Sequence, residues 1–117
     1  MKSAQDLIDV AKADLTCHSA EEAAARCHDT NVLLIDLREP EENAASSVPV
    51  AVHIPRGVLE FKIAEACPDA DREIVLHCGG GGRASLAAQS FKSMGYTNVS
   101  IVSAKFADFA EAFNKHS

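Results

Sequence analysis

The chain has 117 residues, 47% hydrophobic and 24% charged, which is the size and composition of one globular domain with one core. Its net charge of -6 removes the basic surplus on which general nucleic-acid and anionic-membrane binding depend. No apolar run reaches bilayer length, and charges at Asp6, Asp9, Lys12 and Asp14 leave no signal-peptide core, so a cytoplasmic domain with reduced cysteines is expected.

Residues 3–14 are predicted as a helix, with Ser3 and Asp6 at capping-box spacing and Leu7, Ile8, Val10 and Ala11 as its apolar face. Leu15-Thr16-Cys17 reads as a short edge strand. Ser19 and Glu22 repeat the capping box ahead of an alanine-rich helix, Ala20 to Cys27. The run Val32 to Ile35 has the length of a strand buried on both faces. Residues 39–49 are polar and proline-bounded, hence a loop with at most a helical turn. Val50 to Ile54 reads as a strand stopped by Pro55, and Val58 to Ala66 as a helix packing through Leu59, Ile63 and Ala66. Glu73 to His77 is the clearest strand. The helix from Arg83 to Met94 is expected to gather Leu86, Ala87, Ser90, Phe91 and Met94 on one side, with Gly95 ending it. Val99 to Val102 is the last strand, and Phe106, Phe109, Ala110 and Phe113 mark a closing amphipathic helix. Strands alternating with helices predict a three-layer α/β/α domain over 1–117, with residues 1–15 as a helical extension. Its central sheet is expected to be mostly parallel, with four or five strands.

In such sheets ligands bind beyond the carboxyl ends of the strands. Cys78-Gly79-Gly80-Gly81-Gly82-Arg83 stands at such an end and opens a helix. Glycines let the backbone curl so that successive N–H groups converge, and the helix start adds its unpaired N–H groups and positive dipole end. A cysteine at the centre of that cradle is favoured as a thiolate. A phosphate-binding P-loop needs a lysine and a Ser/Thr at the helix start, where this chain has Arg83-Ala84-Ser85. Tyrosine phosphatases and arsenate reductases space cysteine and arginine by five residues; four here make a narrower loop, suited to one added sulfur atom.

The segment His77 to Ser85 resembles the Cys-x-x-Gly-x-Arg-Ser/Ala loop of single-domain rhodaneses. Asp36-Leu37-Arg38-Glu39-Pro40-Glu41-Glu42, His53 to Phe61, and Gly95-Tyr96-Thr97-Asn98-Val99 resemble three further segments of that family, in the same order along the chain. The resemblance implies a thiosulfate-type sulfurtransferase. Cys78 would carry the sulfur, with Gly79, Gly80, Gly81, Gly82 and Arg83 around it, Arg56 at the mouth, and Asp36 and Arg38 behind. The implied partners are a small sulfur donor (thiosulfate, polysulfide or persulfide), a cyanide or thiol acceptor, and a sulfur-relay protein. The implied chemistry needs no metal or organic cofactor.

The chain departs from that pattern at three places. Val50 stands where members have a glycine, which makes a positive φ there unlikely. Ser103-Ala104-Lys105 replaces a glycine pair beside the loop, so side chains are expected to narrow the pocket, with Lys105 adding charge. Four bare glycines predict a loop that is mobile until sulfur is loaded and that suits a bulkier or less charged donor. Cys17-His18 and Cys27-His28 lack zinc spacing, and Cys67 is not expected near Cys78. His77 should point to the face opposite Cys78. Two rivals remain: a cysteine-dependent phosphatase or arsenate reductase, and a non-catalytic sulfur-carrier or interaction module.

Overall fold

The computed structural model describes residues 1–116. Six helices and five strands follow in the order α1 (Ala4–Lys12), β1 (Thr16–His18), α2 (Ala20–Cys27), β2 (Leu33–Asp36), α3 (Pro40–Ala45), β3 (Val52–His53), α4 (Leu59–Ala66), β4 (Ile74–His77), α5 (Gly82–Met94), β5 (Val99–Val102) and α6 (Phe106–Lys115). A 3₁₀ turn, Arg56–Val58, leads into α4. The strands form one sheet in the order β1-β5-β4-β2-β3, and every adjacent pair is parallel.

The two-residue period of the strands builds the layers. Leu33, Ile35, Ile74, Leu76 and Ile101 face α4 and α5, where Leu59, Ile63, Ala84, Ala87, Ala88 and Phe91 complete one core. Leu34, Val75 and Val102 face α2 and α6, where Ala23, Ala24, Phe109 and Phe113 complete the other. β4 lies between β2 and β5, so it is covered on both faces and its carboxyl end opens at the centre of the sheet edge. Both capping boxes form: Ser3 with Asp6 on α1, and Ser19 with Glu22 on α2.

Several boundaries differ from the sequence reading. β1 is shifted one residue, to Thr16–His18, by its pairing with Ser100–Val102. β3 shrinks to Val52–His53, because only these residues find ladder partners, at Ile35 and Asp36. The polar stretch after Arg38 contains a true helix, α3, with Pro40 at its start, a position where the missing N–H is no loss. In α4 the third packing position is Cys67, fully buried past the helix end, while Ala66 is exposed. In α5 the buried stripe is Ala84, Ser85, Ala87, Ala88 and Phe91, and Met94 is left exposed. Small residues face the sheet there because the helix sits close to it.

Candidate active site

The loop after β4 has the expected strand-to-helix geometry. Cys78 is buried at 2% exposure, and its Sγ accepts the Gly81 N–H at 3.1 Å. That contact requires the backbone to turn back on itself at Gly81, whose φ of +96° suits glycine alone. The turn is fixed from below: Ser85 donates to the Gly81 carbonyl from both its N–H (2.9 Å) and its hydroxyl (2.6 Å). A Cβ on Gly81 would also sit 3.4 Å from the Ser103 Cα and the Val102 carbonyl. The β5–α6 connection therefore presses on the loop through backbone rather than through side chains. Lys105 is exposed at the α6 N-cap. The Phe106 N–H holds the Gly79 carbonyl at 3.1 Å.

Arg83 folds back over the loop. Its Nη2 lies 2.9 Å from where a Cβ on Gly79 would be, and it is bound through both nitrogens to Glu42, at 2.7 and 3.2 Å. The arginine and the Glu39 N–H hold the Glu42 carboxyl down at about 2, so the pair stays ionised at physiological pH. Glu42 raises the Arg83 pKa further against the effect of burial, and the neighbouring Cys78 adds to this.

Asp36 and Arg38 pair with each other on the other face of the sheet. Asp36 and His77 are register partners at the ends of β2 and β4, and both point toward α6. Burial pushes the Asp36 carboxyl up; hydrogen bonds from the Arg38 guanidinium and N–H and from Asn43 outweigh it and leave it below the usual carboxylate range. Arg38 lies 3.6 Å over the Phe106 ring and donates to the Glu42 carbonyl (3.4 Å) and the Ser46 carbonyl (2.6 Å). It thus ties the end of α3 to β2, and α3 carries Glu42. Both strings of contacts end at Gly79: one through Glu42 and Arg83, the other through Phe106.

Arg56 points away from an anion-catching role, since its Nη1 binds both carboxylate oxygens of Glu60 at 3.0 Å, and Glu60 also accepts from Ser90. His77 lies between Phe106 and Phe109 with neither ring nitrogen in hydrogen-bond geometry. Burial pushes its pKa down to about 4, against the pull of Asp36 and with the help of Arg38. Burial raises the Cys27 thiol to about 12, which makes it inert. Cys67 directs its Sγ to the Asp69 carbonyl at 3.4 Å. Among the described residues no cluster of His, Cys, Asp and Glu is arranged to hold a metal ion, and no helix is long and apolar enough to cross a membrane. Glu42, Ser85, Phe106 and Ile8 all contact the loop although the sequence does not single them out. Glu42 and Ser85 stood inside the matching segments; Phe106 and Ile8 gave no signal beyond helix periodicity.

A family model described as Rhodanese-like domain matches residues 19–112. A thiosulfate:glutathione sulfurtransferase from Saccharomyces cerevisiae is 33% identical over 85 residues, covering 63% of this chain and 61% of the relative. A sulfurtransferase from Allochromatium vinosum is 32% identical over 81 residues, covering 68% and 74%. The chain thus spans about two thirds of the length of these curated relatives. Among solved structures, a human single-domain sulfurtransferase superposes with a TM-score of 0.69 at 27% identity, over 81% of this chain and 95% of that one.

Proposed function

The chain belongs to the rhodanese-like domain family, and on that footing we propose that it moves a sulfane sulfur from a donor to a thiophilic acceptor through a persulfide on Cys78. The observation that carries this reading is the Cys78 sulfur itself, at the carboxyl end of the central strand, accepting the Gly81 N–H and flanked by Arg83. The names of the curated relatives support sulfur transfer as the general activity.

The step balances without a cofactor. The Cys78 thiolate attacks the outer sulfur of the donor, and the donor's S–S bond breaks. Sulfite leaves from thiosulfate, or a thiolate leaves from an organic persulfide, and Cys78 keeps one extra sulfur as a persulfide anion. A nucleophilic acceptor, cyanide or a thiolate, then attacks that outer sulfur and returns Cys78 as thiolate. Negative charge stays on sulfur throughout, so hydrogen-bond donors fixed at that point act as an oxyanion hole does for oxygen. The Gly81 N–H is one such donor, held in place before the donor arrives. Splitting the transfer into two half-reactions gives ping-pong kinetics. Asp36 and Arg38 support the site from behind by placing Glu42, and a sulfur-relay protein or small thiol serves as the physiological acceptor.

Steady-state transfer to cyanide, with thiosulfate and polysulfide each varied against it, tests the proposal. Parallel double-reciprocal lines, lost in Cys78→Ser, are expected. Intersecting lines, or full activity in Cys78→Ser, would contradict it. Rapid hydrolysis of an aryl phosphate in the same preparation would favour a phosphatase instead.

A further inference from the structure

We propose that Ile8, on the helix that precedes the matched family segment, is a specificity-determining residue of the sulfur-transfer site, selecting organic persulfides over thiosulfate; this rests on the sulfurtransferase reading above. The four loop glycines have four different surroundings. Gly79 is covered by the Arg83–Glu42 ion pair, and Gly81 is packed on the backbone of Ser103. Gly82 faces Ile8: a Cβ there would lie 3.1 Å from Ile8 Cδ1, so Ile8 already fills the space of a side chain at 82. Gly80 alone of the four is exposed, with nothing within 4 Å of a Cβ position. Gly80 thus stands open on a loop covered at Gly79 by a neutralised ion pair and at Gly82 by an aliphatic side chain.

The placement of α1 brings more of it to this mouth. α1 runs along α5 in the same direction: Ile8 meets Gly82 at the start of α5, and Lys92 near its end donates to the Asp14 carbonyl at 2.8 Å. At 1.5 Å per residue, the first turn of α1 overhangs the start of α5 by about 6 Å. The capping box of Ser3 and Asp6 fixes that turn. The wall it provides at Ile8 is apolar, and the loop arginine, Arg83, is committed to Glu42. A thiosulfate dianion gains no charge contact from that wall. The carbon skeleton of a thiol persulfide, by contrast, finds an aliphatic contact.

The test uses the full chain as wild type, Ile8→Ala and Ile8→Lys. Single-turnover sulfur loading of Cys78 by glutathione persulfide and by thiosulfate gives a donor ratio for each. Ile8→Ala is expected to lower the preference for the organic donor severalfold. Ile8→Lys is expected to move it further toward thiosulfate, by about another fivefold, as a charge worth about 1 kcal/mol at contact distance would do. A second readout is independent of sulfur transfer: Ile8→Ala is expected to speed alkylation of Cys78 by N-ethylmaleimide severalfold, and by the smaller iodoacetamide much less. Unchanged donor ratios in both variants, at wild-type unfolding midpoints, overturn the proposal. A wild-type chain that takes sulfur from neither donor defeats the sulfurtransferase reading instead. In that case unchanged alkylation rates overturn the placement of Ile8, and the expected change upholds it.

Discussion

Two arginine–carboxylate pairs lie near the loop, and they are built for different ends. Arg38 and Asp36 are sealed, with side-chain exposures of 5% and 0%, and their remaining polar atoms are spent on Asn43, Ser46 and the Phe106 face. Arg83 and Glu42 sit at the rim, exposed by 36% and 39%, beside the cysteine. The first pair is part of the core and sets where α3 stands; the second rides on α3 and sets the charge at the mouth. Chemistry that looks alike in sequence thus divides into a buried structural joint and a half-exposed pair at the rim, and burial decides which is which.

Breaking the joint is expected to have the largest effect. Arg38→Met leaves Asp36 ionised and buried with too few partners, which costs about 3–5 kcal/mol. Urea unfolding should show it, and a variant that keeps the wild-type midpoint would erase the distinction between the pairs. The same face carries His77, whose ring is neutral in the fold. Its folded pKa of about 4 lies below the ordinary 6.5, so the unfolded chain binds the extra proton in the window between. Stability is therefore fully present above about pH 6.5 and falls as the pH drops toward 4, by on the order of 3 kcal/mol. Asp36, held below 3.8, loses its own contribution only at still lower pH, so the two are separable. The urea midpoint of His77→Leu is expected to be flat between pH 6.5 and 4.5, where wild type declines.

Effects at the loop are smaller in stability and larger in reactivity. Gly81→Ala forces a Cβ into a left-handed backbone at a cost of about 1–2 kcal/mol and moves the N–H that meets the Cys78 sulfur. Sulfur loading should fall more steeply than the unfolding midpoint. Glu42→Gln is expected to shift stability by no more than about 1 kcal/mol. It should nonetheless raise loading from thiosulfate at low salt by freeing Arg83, with the gain fading as salt is added. Equal gains at low and high salt would mean that the pair does not gate charge.

Much of the fold was legible because its signals are local. The capping boxes at Ser3 and Ser19, the buried runs into Asp36 and His77, and the glycine loop each announce themselves within a few residues. The opposite orientations of His77 and Cys78 follow from strand alternation alone. What stayed hidden depends on contacts distant in sequence. Arg56 reads as a free cation until Glu60 and Ser90 are seen around it. Lys105 looks like the intruding residue at the loop, yet the backbone of Ser103 and the N–H of Phe106 make the contact. Ile8 fits the apolar face of its helix, and nothing in its spacing points to Gly82 across the fold. The mobility expected of four glycines is likewise narrowed: hydrogen bonds hold the Gly79 carbonyl and both the N–H and the carbonyl of Gly81, so amide exchange is expected to be slower at Gly81 than at Gly80.

The central claim is that Cys78 carries the sulfur. Intact-protein mass spectrometry after incubation with thiosulfate, and separately with an organic persulfide, reads it directly. The account expects a gain of one sulfur atom in wild type, discharged by cyanide or a thiol and absent in Cys78→Ser. No added sulfur from either donor, or the same adduct in Cys78→Ser, would contradict it.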